Sequence, residues 1–188
     1  MKIGILGGTF NPVHTGHLIL AEEAREKLGL DKVIFVPAFL PPHKDNGDIT
    51  SAADRLKMVK LAIKDNRYFS FSDTEIKRAG RSYTIDTIRQ LKEKYTDDEL
   101  YFVIGSDLLK YLEEWKDLNQ ILEMVRFIVA TRPGYPLDKI PSYIKTMAIR
   151  AVDISAFEIR EAIKENKSFR YLVPDGVYKY ITKKGLYK

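Results

Sequence analysis

Residues 2–17 read Lys2-Ile3-Gly4-Ile5-Leu6-Gly7-Gly8-Thr9-Phe10-Asn11-Pro12-Val13-His14-Thr15-Gly16-His17, and their order decides the fold. A short apolar run, Lys2–Leu6, leads into a glycine-rich turn with two histidines, and an amphipathic segment, Leu18–Leu28, follows. That is a strand, a turn and a helix. In α/β proteins this junction holds anions: bare glycine amides approach closely, and the helix N-terminus offers unpaired N–H groups and partial positive charge. Two familiar phosphate loops are excluded, because the stretch has neither a Gly-Lys-Ser/Thr ending nor a GxGxxG fingerprint. It supplies imidazoles instead, which suits a site that steadies a phosphate during chemistry as well as binding it.

Outward from this turn, β-branched apolar runs alternate with helical patterns. Strands are expected over Lys2–Leu6, Lys32–Val36, Phe69–Ser72, Leu100–Ile104, Phe127–Ala130 and Thr146–Arg150. Helices are expected over Gly16–Leu28, Ala52–Lys64 and Thr84–Lys94, with a shorter piece after Ser106. The alternation predicts an α/β fold with a parallel sheet flanked by helices. Gly29 reads as a left-handed cap for the first helix, Ser51 with Asp54 as a capping box for the second, and Ser155 with Glu158 as another. Pro174 suits the first turn of a final short helix through Ile181. The expected organisation is one domain over residues 1–188, with a C-terminal helical part over about 154–188 packed on the sheet edge. The longest irregular stretch, Pro37–Thr50, has the length of a functional loop.

Composition narrows the class. Hydrophobic content of 45% with 30% charged residues is that of an ordinary globular protein, and no apolar run approaches a membrane span. With no cysteine, neither a disulfide nor a thiolate metal site can form, and a reducing, cytoplasmic setting is expected. The segment before Gly7-Gly8 does not read as a signal peptide. The net charge of +5 points to nucleic acid only superficially: residues 160–188 hold eight lysines and arginines against three acids, so the excess lies there and the remainder balances. No nucleic-acid or membrane partner is expected, and the oligomeric state is not readable.

Ligands on open α/β sheets bind beyond the carboxyl ends of the strands. Four informative segments follow such ends: Gly7–His17, Pro41-Pro42-His43-Lys44, Gly105-Ser106-Asp107, and Ile154-Ser155-Ala156-Phe157-Glu158-Ile159-Arg160. The first of them, Gly8 through His17, resembles the nucleotidyltransferase superfamily signature GxFxPxHxGH with every fixed position filled. The resemblance implies a Rossmann-like nucleotidyltransferase fold and ATP as substrate, with Mg²⁺ bound alongside the nucleotide. Ile154–Arg160 resembles the superfamily's second signature, ISSTxxR, in part: Ala156 and Phe157 replace a serine and a threonine, while Ser155 and Arg160 remain.

On that reading His14 and His17 donate to phosphate oxygens, with His17 nearest the α-phosphate, where charge builds during in-line displacement. Ser155, at a helix N-cap, and Arg160, one turn on, would meet the β- and γ-phosphates. Gly8, Thr9, Phe10, Gly16, Gly105 and Asp107 complete the expected ATP site, Asp107 at the ribose. Lys44 is expected to close over a second anionic substrate and to count, with His14, His17 and Arg160, among the catalytic residues.

Further elements look like bacterial nicotinate-mononucleotide adenylyltransferases: Pro41-Pro42-His43-Lys44, Ser82-Tyr83-Thr84-Ile85-Asp86-Thr87, Ile104-Gly105-Ser106-Asp107 followed by Trp115, and the ending Tyr171-Leu172-Val173-Pro174…Tyr180-Ile181. That resemblance covers nearly the whole chain. It implies transfer of AMP from ATP to nicotinate mononucleotide, giving deamido-NAD and pyrophosphate. It also implies that Thr9, Lys44, Tyr83, Thr84, Trp115 and Arg132 hold the mononucleotide, with Trp115 stacked on the pyridine ring. A zinc site at His14, His17 and His43 is disfavoured by the lack of cysteine and of a glutamate within the motif. Two alternatives stay open: a sibling transferase using phosphopantetheine or another phosphorylated acceptor, and a non-catalytic nucleotide binder. The sibling transferase does not account for Pro41–Lys44, Ser82–Thr84 and Trp115, and the presence of both histidines favours turnover over binding alone.

Overall fold

The computed structural model describes residues 1–42, 49–131, 140–141, 143–150 and 152–188. Six strands, β1 (Lys2–Gly8), β2 (Lys32–Pro37), β3 (Phe69–Phe71), β4 (Glu99–Gly105), β5 (Arg126–Thr131) and β6 (Lys145–Ala148), form one sheet in the order β3-β2-β1-β4-β5-β6. Every neighbouring pair is parallel. Helices α1 (Thr15–Leu28), α2 (Ala52–Ile63), α3 (Thr74–Arg78), α4 (Thr84–Lys94), α5 (Leu118–Met124), α6 (Ala156–Lys164) and α7 (Asp175–Lys184) flank it, with a 3₁₀ segment at Ser106–Glu114.

The central strands are continuous apolar runs because both faces of a parallel sheet are covered. The pleat then divides each run between two cores. On one face lie Val33 and Phe35 of β2, Tyr101 and Val103 of β4, and Ile128 and Ala130 of β5, packed with residues of α1, α2, α6 and α7. On the other lie Ile3 and Ile5, Ile34 and Val36, Phe102 and Ile104, and Phe127 and Val129, covered by α4, α5 and the 3₁₀ segment. Parity alone sends neighbouring residues to opposite cores.

The chain runs from β1 outward through β2 to β3, then returns to place β4 on the other side of β1. The strand order therefore reverses between β1 and β4, and the carboxyl end of β1 opens onto the crevice that such a reversal creates. That end is the glycine-rich turn.

Several local expectations are met in detail. Gly29 caps α1 at φ +62°, and the Ser51 hydroxyl accepts the Asp54 N–H at 3.1 Å. Others need correction. The helices α3 and α5, of five and seven residues, are too short for a 3.6-residue period to be read from sequence. The final strand is Lys145–Ala148 rather than Thr146–Arg150, and its last paired residue, Ala148, lies opposite Thr131 of β5. Past that point Arg150 turns to the buried Glu23 carboxylate of α1, and Lys27 donates to the Ala148 carbonyl at 2.6 Å. The C-terminal helices do not lie along the sheet edge. Ile159, Ile163, Val177 and Ile181 enter the α1/α2 core, at about 1.5–3 kcal/mol for each fully buried side chain. The Tyr180 hydroxyl donates to Asp54 at 2.7 Å and ties α7 to α2.

Candidate active site

The β1–α1 turn is built around two rings. His14 is the N-cap of α1 and is 3% exposed; His17 follows one turn later, and the ring centroids lie 3.7 Å apart. The His14 backbone N–H donates to His17 Nδ1 at 3.2 Å. A neutral imidazole that accepts at Nδ1 carries its proton on Nε2, so the hydrogen bond makes Nε2 the donor nitrogen. Phe10 packs edge-on to His17, with centroids 5.0 Å apart, and further fixes its plane.

The two glycines of this turn are explained by close approach. A Cβ on Gly16 would lie 3.1 Å from His14 Nδ1, and one on Gly8 would lie 3.1 Å from the Phe10 ring. Both rings rest on bare backbone. Phe10 itself has φ +50°, a left-handed conformation costly for a large side chain and maintained here by complete burial.

From the far end of the chain, Arg160 of α6 reaches this turn and donates from Nη1 to the Asn11 carbonyl at 2.9 Å. Asn11 is a junction. Its side-chain carbonyl accepts the Thr50 N–H at 3.1 Å and the Tyr187 hydroxyl at 3.0 Å. Burial pushes the Tyr187 phenol up to about 12, so it remains a donor across the neutral range. The Thr15 N–H, in the first turn of α1, donates to the Leu172 carbonyl at 2.9 Å, so the C-terminal segment closes on the start of this helix.

Ser155 caps α6, but its hydroxyl is engaged: it donates to the Glu158 carboxylate at 2.8 Å and accepts the Glu158 N–H at 3.2 Å. A phosphate at this N-terminus would have to displace the Glu158 carboxylate. Phe157 is 62% exposed beside Arg160, whose guanidinium carbon stands 5.8 Å from the ring centroid. Gly105 ends β4, next to β1 in the sheet, Asp107 follows it, and the Asp107 carboxylate folds back against Gly105.

Of the residues expected to hold a second substrate, Tyr83 is the N-cap of α4 and Thr84 its first residue. Lys116 sets its ammonium 4.9 Å from the Tyr83 ring centroid, which brings that element beside Trp115. Trp115 is half-buried, edge-on to Phe102 and Phe127 with centroids 5.9 Å from each. It also walls a cleft of about 460 Å³ with Glu113, Asp117, Leu118, Asn119 and Gln120. Trp115 therefore both packs against the core and lines this cleft. His43, Lys44 and Arg132 lie outside the described residues.

Sequence reasoning missed three residues that shape the site: Asn11, Arg55 and Tyr187. Asn11 reads as an ordinary turn residue before Pro12, Arg55 as one more exposed helix cation, and Tyr187 as tail. None carries a local signal, because each acts through partners 39 or more residues away, or through several segments at once.

A doubly wound parallel sheet whose switch point carries paired imidazoles, faced by an arginine from beyond the last strand, is a nucleotidyltransferase. The Cytidylyltransferase-like family matches residues 5–162. A nicotinate-nucleotide adenylyltransferase of Bacillus subtilis is 42% identical over 187 residues, covering 100% of this chain and 98% of the relative. Among solved structures, Plasmodium falciparum nicotinic acid mononucleotide adenylyltransferase complexed with NaAD superposes with a TM-score of 0.81 at 20% identity, covering 99% of this chain and 97% of the other. The same protein complexed with APC gives a TM-score of 0.80 at 20% identity over 99% and 96%. At that identity the structures speak to the fold. The full-length relatives speak to more, and the chain belongs to the nicotinate-nucleotide adenylyltransferases.

Proposed function

We propose that this protein joins ATP and nicotinate mononucleotide through an oxygen of the mononucleotide phosphate, which attacks the α-phosphorus in line. The new P–O bond forms as the bond from the α-phosphorus to the bridging oxygen breaks. Deamido-NAD is made and pyrophosphate leaves with the electron pair. The observation that carries this reading is the hydrogen bond from the His14 N–H to His17 Nδ1, which makes His17 Nε2 a preset donor at the switch-point turn.

Such a transfer needs placement and charge stabilisation rather than a covalent intermediate. His14 and His17 would hold phosphate oxygens, His17 at the α-phosphate. Arg160, already anchored beside Asn11, would neutralise charge on the departing phosphates. Gly8, Thr9, Phe10 and Gly16 shape the turn, and Gly105 with Asp107 would meet the ribose. Ser155 would join once Glu158 gives way. Thr9, Tyr83, Thr84 and Trp115, with Lys44 and Arg132, would take the mononucleotide. The donor set at the turn suits phosphate oxygens rather than a hard cation, so Mg²⁺ would arrive on the nucleotide, where it supplies neutralisation of the leaving pyrophosphate.

No described helix is long and apolar enough to cross a membrane. We place the activity in the cytoplasm, on small-molecule substrates, without a nucleic-acid partner and with the oligomeric state open. In the C-terminal stretch, Lys164, Lys167 and Lys179 pair with Glu161, Glu165 and Asp175, which favours a solvated helix face for these three lysines.

The test is incubation with ATP, Mg²⁺ and either nicotinate or nicotinamide mononucleotide, following pyrophosphate and dinucleotide together. Turnover with a strong nicotinate preference is expected. Turnover with neither, but with phosphopantetheine, would transfer the protein to the sibling reaction. ATP binding without pyrophosphate release on any acceptor would make it a binder.

Trp115→Ala is expected to raise the KM for the mononucleotide roughly tenfold or more and to leave the ATP KM nearly unchanged, since stacking on an aromatic face contributes about 1–3 kcal/mol. Trp115→Phe, which keeps a ring against Phe102 and Phe127, should recover part of the loss. An unchanged acceptor KM in the alanine variant would defeat the stacking role.

A further inference from the structure

Arg55, in the first turn and a half of α2, is 1% exposed, although burial strongly disfavours a guanidinium charge. Its donors are spent on main-chain carbonyls of three separate segments. Nη1 donates to Thr9 at 2.8 Å and also to Ala38; Nη2 donates to Phe39 at 2.8 Å; Nε donates to Thr50 at 2.9 Å. Thr9 lies in the imidazole turn, Ala38 and Phe39 directly follow β2, and Thr50 precedes α2.

The line continues past Phe39. The Phe39 N–H donates to the Ser82 hydroxyl at 2.8 Å, and the Ser82 N–H donates to the Leu40 carbonyl at 2.8 Å. Nearby, the Thr87 hydroxyl donates to the buried Glu75 carboxyl at 2.6 Å. An unbroken path of short hydrogen bonds therefore runs from Thr9 through Arg55 and Phe39 to Ser82, the residue before Tyr83 and Thr84.

We infer that Arg55 is a positioning residue for adenylyl transfer: it sets the separation between the nucleotide turn at Thr9 and the acceptor element at Ser82–Thr84. This rests on the reaction proposed above. Arg55 acts through Thr9 and Phe39. Its planar fork matches fixed carbonyls in fixed directions, which an apolar side chain cannot do and a lysine does only in part. Filling this space with a hydrophobic residue would serve packing as well or better, so a buried charge here points to placement of the segments it joins.

The expected signature follows from the geometry of transfer. Each half-site keeps its own contacts when Arg55 is changed, but their spacing relaxes, and a misplacement of about 1 Å between reacting groups costs about 10²-fold in rate. Loss should fall on kcat and spare both KM values.

The full-length protein is compared with Arg55→Lys, Ser82→Ala and the double variant. Steady-state constants are measured for both substrates, calorimetry gives the stoichiometry of a non-hydrolysable ATP analogue, and amide NMR shifts are recorded for Thr9, Phe39 and Tyr83. Arg55→Lys should lower kcat roughly 10²-fold, leave each KM within about threefold, and still bind one analogue per chain. Ser82→Ala should lower kcat about tenfold, and the double variant should be no worse than Arg55→Lys, as for two links in one path.

A kcat for Arg55→Lys within about threefold of wild type overturns the inference. So does a fall in analogue stoichiometry matching the fall in kcat, which would mark a folding defect. Losses that multiply in the double variant would sever the path. If Arg55→Lys does not fold, a wild-type kcat for Ser82→Ala overturns it equally. The NMR arm is independent of the reaction: the Tyr83 amide should move in Arg55→Lys without ligand, and a stationary Tyr83 amide refutes the relay. Absence of turnover in the wild-type protein would instead sink the proposed reaction, leaving the NMR result to decide the role of Arg55.

Discussion

His17→Ala is expected to lower kcat by about 10²–10³-fold while ATP still binds, the cost of deleting one preorganised donor to charge that develops in the transition state. The reason lies in the tautomer. His17 Nδ1 accepts the His14 N–H at 3.2 Å, so the ring proton sits on Nε2, and the ring is held between the stacked His14 imidazole and the edge of Phe10. No rearrangement is needed to present that proton.

Two further substitutions separate donor from cap. His17→Asn keeps an acceptor near the Nδ1 position but offers no ring donor, and should lose as much kcat as alanine while retaining more stability. His17→Gln places an amide N–H near the Nε2 position and should recover part of the rate. The measurement is pyrophosphate release under saturating substrates, with calorimetric binding of an ATP analogue beside it. Near-normal turnover in the alanine variant would remove His17 from the transfer.

Arg160→Ala is expected to lower kcat/KM for ATP by about 10²–10³-fold, again the scale of one donor aimed at developing phosphate charge. Two losses combine in it. On the proposed assignment the guanidinium charge that would face the departing phosphates disappears, and the Asn11 carbonyl loses its partner at 2.9 Å. Asn11 is otherwise held through its side chain by Thr50 and Tyr187, so the turn should keep its path while losing one brace. Arg160→Lys should restore some ATP affinity through charge alone, but without the planar fork that can hold a carbonyl and a phosphate together. Steady-state constants with ATP varied at saturating mononucleotide give the comparison. A kcat/KM for Arg160→Ala within about threefold of wild type would place the phosphate cation elsewhere.

The legibility of this chain followed sequence distance. The β1 turn announced itself because its strand, glycines, histidines and helix are contiguous, and the structure joins those same residues in ring stacking and a backbone-to-imidazole hydrogen bond. The stop of α1 at Gly29 and the start of α2 at Ser51 were equally local. Periodicity failed for α3 and α5, which are too short to show it, while the shorter piece expected after Ser106 is present as the 3₁₀ segment Ser106–Glu114. Ser155 was legible as a cap, and its reciprocal pair with Glu158 engages its hydroxyl and backbone N–H at the start of α6.

The resemblance of the β1 turn to a family signature implied the class of chemistry; by itself the sequence determined the alternation of strands and helices, the parallel sheet and the imidazole turn. These follow from contiguous residues whose side-chain period, backbone freedom and functional groups act within one or two turns of chain. Tertiary structure alone decided that the C-terminal helices enter the core, since Ile159, Ile163, Val177 and Ile181 are buried only where α1, α2 and the sheet supply a matching face. It alone decided that Tyr187 bonds Asn11 and that Arg55 gathers carbonyls from Thr9, Ala38, Phe39 and Thr50. A buried polar group must find its partners wherever the fold places them, and hydrogen-bond satisfaction across distant segments leaves no periodic trace in the residues that provide it.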